Sequence, residues 1–67
     1  MQQEKLIREK IKEKVLDETG KKVRNIFFLC RGHRGLDNYN IYCVVGNNDN
    51  IFGVALVSDS FDVEVVV

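Results

Sequence analysis

The sequence predicts an α+β fold: one N-terminal helix packed on a four-stranded antiparallel meander sheet, ordered α-β-β-β-β in two layers. Three observations predict it. Apolar residues recur at helical spacing before residue 20 and at a period of two from Val23 onward. Clusters of Gly, Asn, Asp and Ser cut that second part into four apolar runs. The connections between those runs are short, whereas parallel pairing needs a crossover of about a dozen residues or more.

Residues 4–18 form the predicted helix. Glu, Lys, Leu, Ile and Arg dominate it, and all are good helix formers. Ile7, Ile11 and Val15 recur every four residues, with Leu16 beside them, so one stripe is apolar. Glu4 and Arg8, Lys5 and Glu9, Lys10 and Glu13, and Lys14 and Glu18 are spaced to pair along the other side. Gly20 stands where a glycine ends a helix, and Lys21 and Lys22 follow at the negative end of the helix dipole.

The strands follow in order. Val23–Arg31 is the first, and residues 32–38 are read as a loop with two glycines and an Asp-Asn pair. Tyr39–Val45 is the second strand, closed by the turn sequence Gly46-Asn47-Asn48-Asp49-Asn50. Ile51–Val57 is the third, followed by a turn at Ser58-Asp59-Ser60. Phe61–Val67 is the fourth, with Phe61, Val63, Val65 and Val67 alternating against Asp62 and Glu64. Residues 1–67 read as a single domain, without repeat or linker.

These strands are too apolar for a sheet covered on one side. Such a sheet normally alternates apolar and polar residues. Here the first strand sets Ile26, Phe28 and Cys30 against Phe27 and Leu29. The second sets Tyr39, Ile41, Cys43 and Val45 against Tyr42 and Val44, and the third sets Ile51, Ala55 and Val57 against Phe52, Val54 and Leu56. One helix covers one face, and the other exposes more large side chains than a monomer usually carries. Phe27, Leu29, Tyr42 and Val44 are the expected oligomer interface, and a homodimer through the sheet face or edge is the expected assembly.

Charge is unevenly distributed. All ten Lys and Arg residues fall within residues 1–34, beside five acids, for a net +5. Residues 35–67 hold five acids and no Lys or Arg, for −5. This asymmetry suits an anionic partner or the association of complementary surfaces. Arg31, His33 and Arg34 stand together in the expected loop and are the candidate partner-binding residues. Glycines there allow close approach, and arginines fork onto oxygen atoms.

Catalytic and metal chemistry is weakly indicated. Cys30, His33 and Cys43 supply three zinc-type ligands, and Asp37 would have to be the fourth. Cys30 and His33 are also the residue types of a nucleophile and its base, but no orienting partner follows from the spacing. No metal, cofactor or enzymatic activity is expected. The N-terminal stretch is densely charged from Glu4 to Lys14, so no signal peptide is expected, and no apolar run approaches the roughly 20 residues of a membrane span. A cytoplasmic protein with reduced thiols is expected.

The function these observations favour is a small non-catalytic protein-interaction module. It would act as a dimerising inhibitor, regulator or accessory subunit that contacts a larger partner. The second reading is a nucleic-acid-binding protein using the basic stretch around Arg31 and Arg34, with Tyr39 and Tyr42 as stacking surfaces.

Overall fold

The computed structural model describes residues 2–47 and 50–66; Met1, Asn48, Asp49 and Val67 lie outside the described residues. The elements are α1 (Gln2–Thr19), β1 (Val23–Arg34), β2 (Asp37–Gly46), β3 (Ile51–Ser58) and β4 (Val63–Val66). The four strands form one antiparallel sheet in the order β1-β2-β3-β4, with α1 packed on one face. The predicted architecture is the observed one.

The helix ends where its sequence stops it. Gly20 adopts φ +73°, a backbone conformation that costs glycine little, and donates its amide to the Leu16 carbonyl at 2.9 Å. The Thr19 hydroxyl accepts from the Lys21 amide and donates to the Val15 carbonyl, securing the same terminus. Of the predicted surface pairs, Glu4–Arg8 and Lys14–Glu18 form at 3.5 and 3.3 Å. Both are exposed and add only a few tenths of a kcal/mol each.

The core lies between α1 and the sheet. Ile7, Ile11 and Val15 from the helix meet Ile26, Tyr42, Val44, Ala55 and Val57, and Val23, Phe61, Val63 and Val65 close its margin. Leu16 does not join this stripe; it is half exposed, because the helix touches the sheet along a single row of side chains. Arg8 reaches across the layer, donating from Nη1 to the Ile26 carbonyl at 2.7 Å. That bond occupies one carbonyl of β1, an edge strand.

The first hairpin departs from the predicted loop. β1 continues to Arg34, and β2 begins at Asp37, leaving only Gly35-Leu36 as the turn. Gly35 takes φ +63°, which suits glycine at the first central position of a two-residue hairpin turn. Residues 32–34 and 37–38 therefore belong to the ladder. They build an arm that continues past the end of β3, whose last pairing is Ser58 with Tyr39.

Bulges set the register. From the turn, pairing runs regularly from Arg34↔Asp37 to Cys30↔Ile41. It then slips by one residue, so that Phe28 pairs with Tyr42, Phe27 with Cys43 and Ile26 with Val44. Leu29 is the extra residue of this bulge. A second slip falls between Val23 and Asn25, and a third in β2–β3 between Val44 and Val45. Bulges raise local twist and bend the strand that carries them.

The fourth strand is shorter than predicted at its N-terminal end. Phe61 precedes it in a left-handed conformation, φ +64°, while its ring still packs at the core margin. The Ser58 hydroxyl shapes this turn by accepting from the amides of Ser60 and Asp62, and Phe61 donates its amide to the Ser58 carbonyl. The turn expected over residues 46–50 lies partly outside the described residues. Its ends are joined by the Gly46 amide donating to the Asn50 carbonyl at 3.0 Å.

Candidate functional site: the open sheet face

Antiparallel partners share a face, so the ladder assigns every strand residue to one side of the sheet. Phe27, Cys43, Val54 and Val66 form one row on the side away from α1. Cys30, Ile41, Leu56 and Glu64 form the next. Gly32 and Tyr39, then Arg34 and Asp37, extend the same face along the arm. The middle of this surface is apolar, with charged groups at its outer edges.

Phe27 belongs to this face and Leu29 to the bulge beside it, and they are 51% and 54% exposed. Together with Ile51 and Val66 they leave large apolar side chains against solvent. Twist shields only part of the face: Cys43 and Val45 are buried, and Ile41, Val54 and Leu56 are half-buried. Gly32 helps keep the surface level beside Ile41. A Cβ at residue 32 would lie 3.0 Å from Ile41 Cδ1, so any other residue there would push that side chain aside.

Tyr42 and Val44 are not on this face. Both are buried beneath α1, at 2% and 0% exposure. The expected grouping with Phe27 and Leu29 fails for a definite reason. An unbroken ladder from the Gly35-Leu36 turn would pair Leu29 with Tyr42 and Phe27 with Val44. The Leu29 bulge removes one residue from the count, and a one-residue slip exchanges the two faces of a strand. Ile41 and Cys43 take the places on the open face that Tyr42 and Val44 were expected to hold.

Tyr42 instead completes the core near the start of the helix. Its ring meets Phe28 edge-on, with centroids 5.5 Å apart. Burial is the main influence that raises its hydroxyl above the ordinary tyrosine range. The nearby Glu4 carboxylate raises it further, while the Arg8 guanidinium acts in the opposite sense.

The basic residues of the arm do not form one cradle. Beyond the bulge, Arg31 and His33 pair with Asn40 and Asn38 on the helix side, and Arg34 pairs with Asp37 on the open side. Arg31 is already engaged within the chain. It donates through Nη1 to Asn40 Oδ1 at 2.9 Å and through Nη2 to both Asp59 carboxylate oxygens at 2.9 and 3.1 Å. Arg34 lies 5.9 Å from the Tyr39 ring centroid. His33 is exposed. The expected loop is a rigid hairpin, and its alternation sends consecutive side chains to opposite faces.

The same alternation separates the groups considered for chemistry. Cys30 falls on the open face and His33 on the helix side. Cys30 and Cys43 share a face, but Cys30 stands opposite Ile41 and Cys43 opposite Phe27, and both thiols are free. Among the described residues, no group of three His, Cys, Asp or Glu side chains is placed to hold a metal ion. Also among these residues, no helix is long and apolar enough to cross a membrane. Tyr39 and Tyr42 lie on opposite sides of the sheet and cannot act together as a stacking platform.

Two exposed features went unsingled in the sequence. Leu36, at the hairpin tip, is fully exposed (101%). Its only sequence signal is an apolar residue inside a Gly-Leu-Asp turn. A groove of about 450 Å³ runs between the arm and the β3–β4 turn, lined by Leu36, Tyr39, Asp59, Asp62 and Glu64 among others. It is open and acidic.

Compared with protein families, curated proteins and solved structures, the chain matches none.

Proposed function

We propose that this protein is a small non-catalytic interaction module that works by pairing its open sheet face with another protein surface, acting as a dimerising regulator or accessory subunit. The observation that carries this reading is the exposure of Phe27, on the sheet face away from α1 that no element among the described residues covers, and of Leu29 in the adjoining bulge. Burying one large apolar side chain stabilises an assembly by about 1.5–3 kcal/mol before the costs of association. Several such side chains on one face supply a driving force that the monomer leaves unused. The antiparallel ladder beneath them gives a stiff platform, which limits the ordering cost on binding.

The basic arm is a second element of this reading. Arg34 and His33, both exposed, are the residues that would contact the larger partner. A nucleic-acid partner is less well supported, because Arg31 is held by Asp59 and the tyrosines are divided between two faces.

Light scattering across a concentration series tests the proposal. The expected mass rises from 7.7 kDa towards twice that value. A mass fixed at 7.7 kDa up to millimolar concentration contradicts the dimer. A gel shift at low salt that weakens steeply as salt is added would favour the nucleic-acid reading instead.

A further inference from the structure

We propose that Arg8 and Asn25 shut the outer edge of β1 to strand addition, keeping the edge strand of a second copy from extending the sheet there. This goes beyond the interaction-module reading and stands without it, since it concerns an edge of the sheet and not its open face. The observation behind it is that both backbone groups of Ile26 are taken by side chains of the same chain. The Ile26 amide donates to Asn25 Oδ1 at 2.9 Å, and its carbonyl accepts from Arg8 Nη1 at 2.7 Å.

β1 is a strand in need of such protection. It runs for 12 residues along one edge of the sheet. Its segment Ile26-Phe27-Phe28-Leu29-Cys30 contains no charge and no proline. Phe27, Phe28 and Leu29 are each about half exposed. A long, apolar, exposed edge strand is a template for pairing with another chain.

The ladder fixes which backbone groups point out of that edge. In an antiparallel pair, residues that exchange hydrogen bonds with the neighbouring strand alternate with residues whose amide and carbonyl point away from it. Arg34 and Asp37 flank the two-residue turn and exchange bonds, so Gly32 and Cys30 also face β2, while His33 and Arg31 face outward. The bulge at Leu29 shifts the alternation by one residue, and the outward positions become Phe28 and Ile26. The edge thus offers two short runs out of step with each other, and a straight incoming strand matches only one of them. The run beyond the bulge is flanked by the charges of Arg31 and Arg34, which discourage edge pairing. In the run within the apolar segment, Ile26 has no backbone group left to give.

Arg8 is well held for this role. Ile7 and Ile11, buried on either side of it in the sequence, fix α1 on the sheet. Its Nε lies 3.5 Å from the Glu4 carboxylate, one helical turn earlier. A guanidinium keeps its protons at any pH the fold survives, so the donor is always present. Its charge-assisted bond to the Ile26 carbonyl is also stronger than the neutral amide bond that an incoming strand would offer in its place.

Removing the two side-chain groups tests the proposal. Arg8→Met keeps an unbranched stem without the donor, and Asn25→Ala removes the acceptor at an exposed position. Urea midpoints are measured first by circular dichroism. Each variant is then compared with wild type brought by urea to the same unfolded fraction, so that unfolding alone does not decide the result. Thioflavin T fluorescence and light scattering follow extension of the sheet, whereas packing of two open faces raises the mass without the dye signal. Arg8→Met is expected to extend about tenfold faster than the matched wild type, and Asn25→Ala about threefold faster. Folded variants that extend no faster than the matched wild type would overturn the proposal and leave the interaction-module reading untouched. If Arg8→Met does not fold, Asn25→Ala decides the matter by the same criterion.

Discussion

Phe27 faces Cys43 across the first hairpin, one residue short of the Val44 that a regular ladder from the Gly35-Leu36 turn would give it. Leu29 is the cause, as the unpaired residue of a bulge. This slip fixes which residues the helix buries and which the sheet leaves open. It places Tyr42 and Val44 in the core and returns Cys43 to the face of Phe27.

The two thiols give the simplest chemical reading of that register. Cys30 is exposed on the open face, whereas Cys43 is buried in the middle of it. In dilute solution, a thiol reagent should label Cys30 rapidly and Cys43 only at the rate of structural opening. As protein concentration rises and the face is covered, Cys30 labelling should slow. Equal rates at both positions, resolved by peptide mass analysis, would contradict the assignment.

The helix should respond to truncation along one row only. Ile11 is completely buried, and Ile11→Ala should cost about 2–5 kcal/mol in urea unfolding. Leu16, half exposed on the neighbouring side, should lose well under half as much on conversion to alanine. Comparable losses would mean that the helix is rotated from the described position.

Arg31 serves the chain more than a partner. Its fork onto Asp59 joins the arm to the β3–β4 turn, but both side chains are at least half exposed. A double-mutant cycle with Arg31→Ala and Asp59→Ala should therefore give a coupling of only about 0.2–1 kcal/mol, falling with added salt. A coupling absent at low salt would free Arg31 for a partner.

Tyr42 predicts a specific alkaline response. Its hydroxyl titrates higher in the folded chain than in the unfolded one, chiefly because it is buried. The unfolded state then loses its proton first as pH rises. Below the ordinary tyrosine value of about 10 the group is neutral in both states and adds no pH dependence. Above it, stability falls with pH until the folded-state group also ionises. Urea midpoints should drop more steeply between pH 9.5 and 11 (roughly the window that brackets the ordinary value) in the wild type than in Tyr42→Phe. Parallel slopes would contradict the burial of this hydroxyl.

The element order was legible because it depends on local signals. The four-residue spacing of Ile7, Ile11 and Val15, the terminating Gly20 and the change of period at Val23 each mark a boundary without reference to the rest of the chain. The excess of apolar residues on the strands was legible too, and the structure leaves Phe27 and Leu29 exposed as that excess implied. The membership of the face was not. It depends on how many residues the turn contains and on whether each side of the ladder advances in step. Gly32 and Asp37-Asn38 carry turn chemistry yet lie in strands, because Gly35-Leu36 alone suffices to reverse the chain. Leu29 looks like any other strand residue, and nothing in its neighbourhood in the sequence marks its bulge. The loop formed by Arg31, His33 and Arg34 dissolved for the same reason, since a tight hairpin imposes alternation on residues that a loop would let converge.

The most direct test of the central claim, that a second chain covers the open face carrying Phe27, is sedimentation equilibrium of the wild type beside Phe27→Glu. The account predicts a wild type approaching twice 7.7 kDa and a Phe27→Glu variant that stays at 7.7 kDa while keeping a wild-type circular dichroism spectrum. A monomeric wild type at millimolar concentration, or a folded Phe27→Glu variant that still forms the dimer with undiminished affinity, would contradict it.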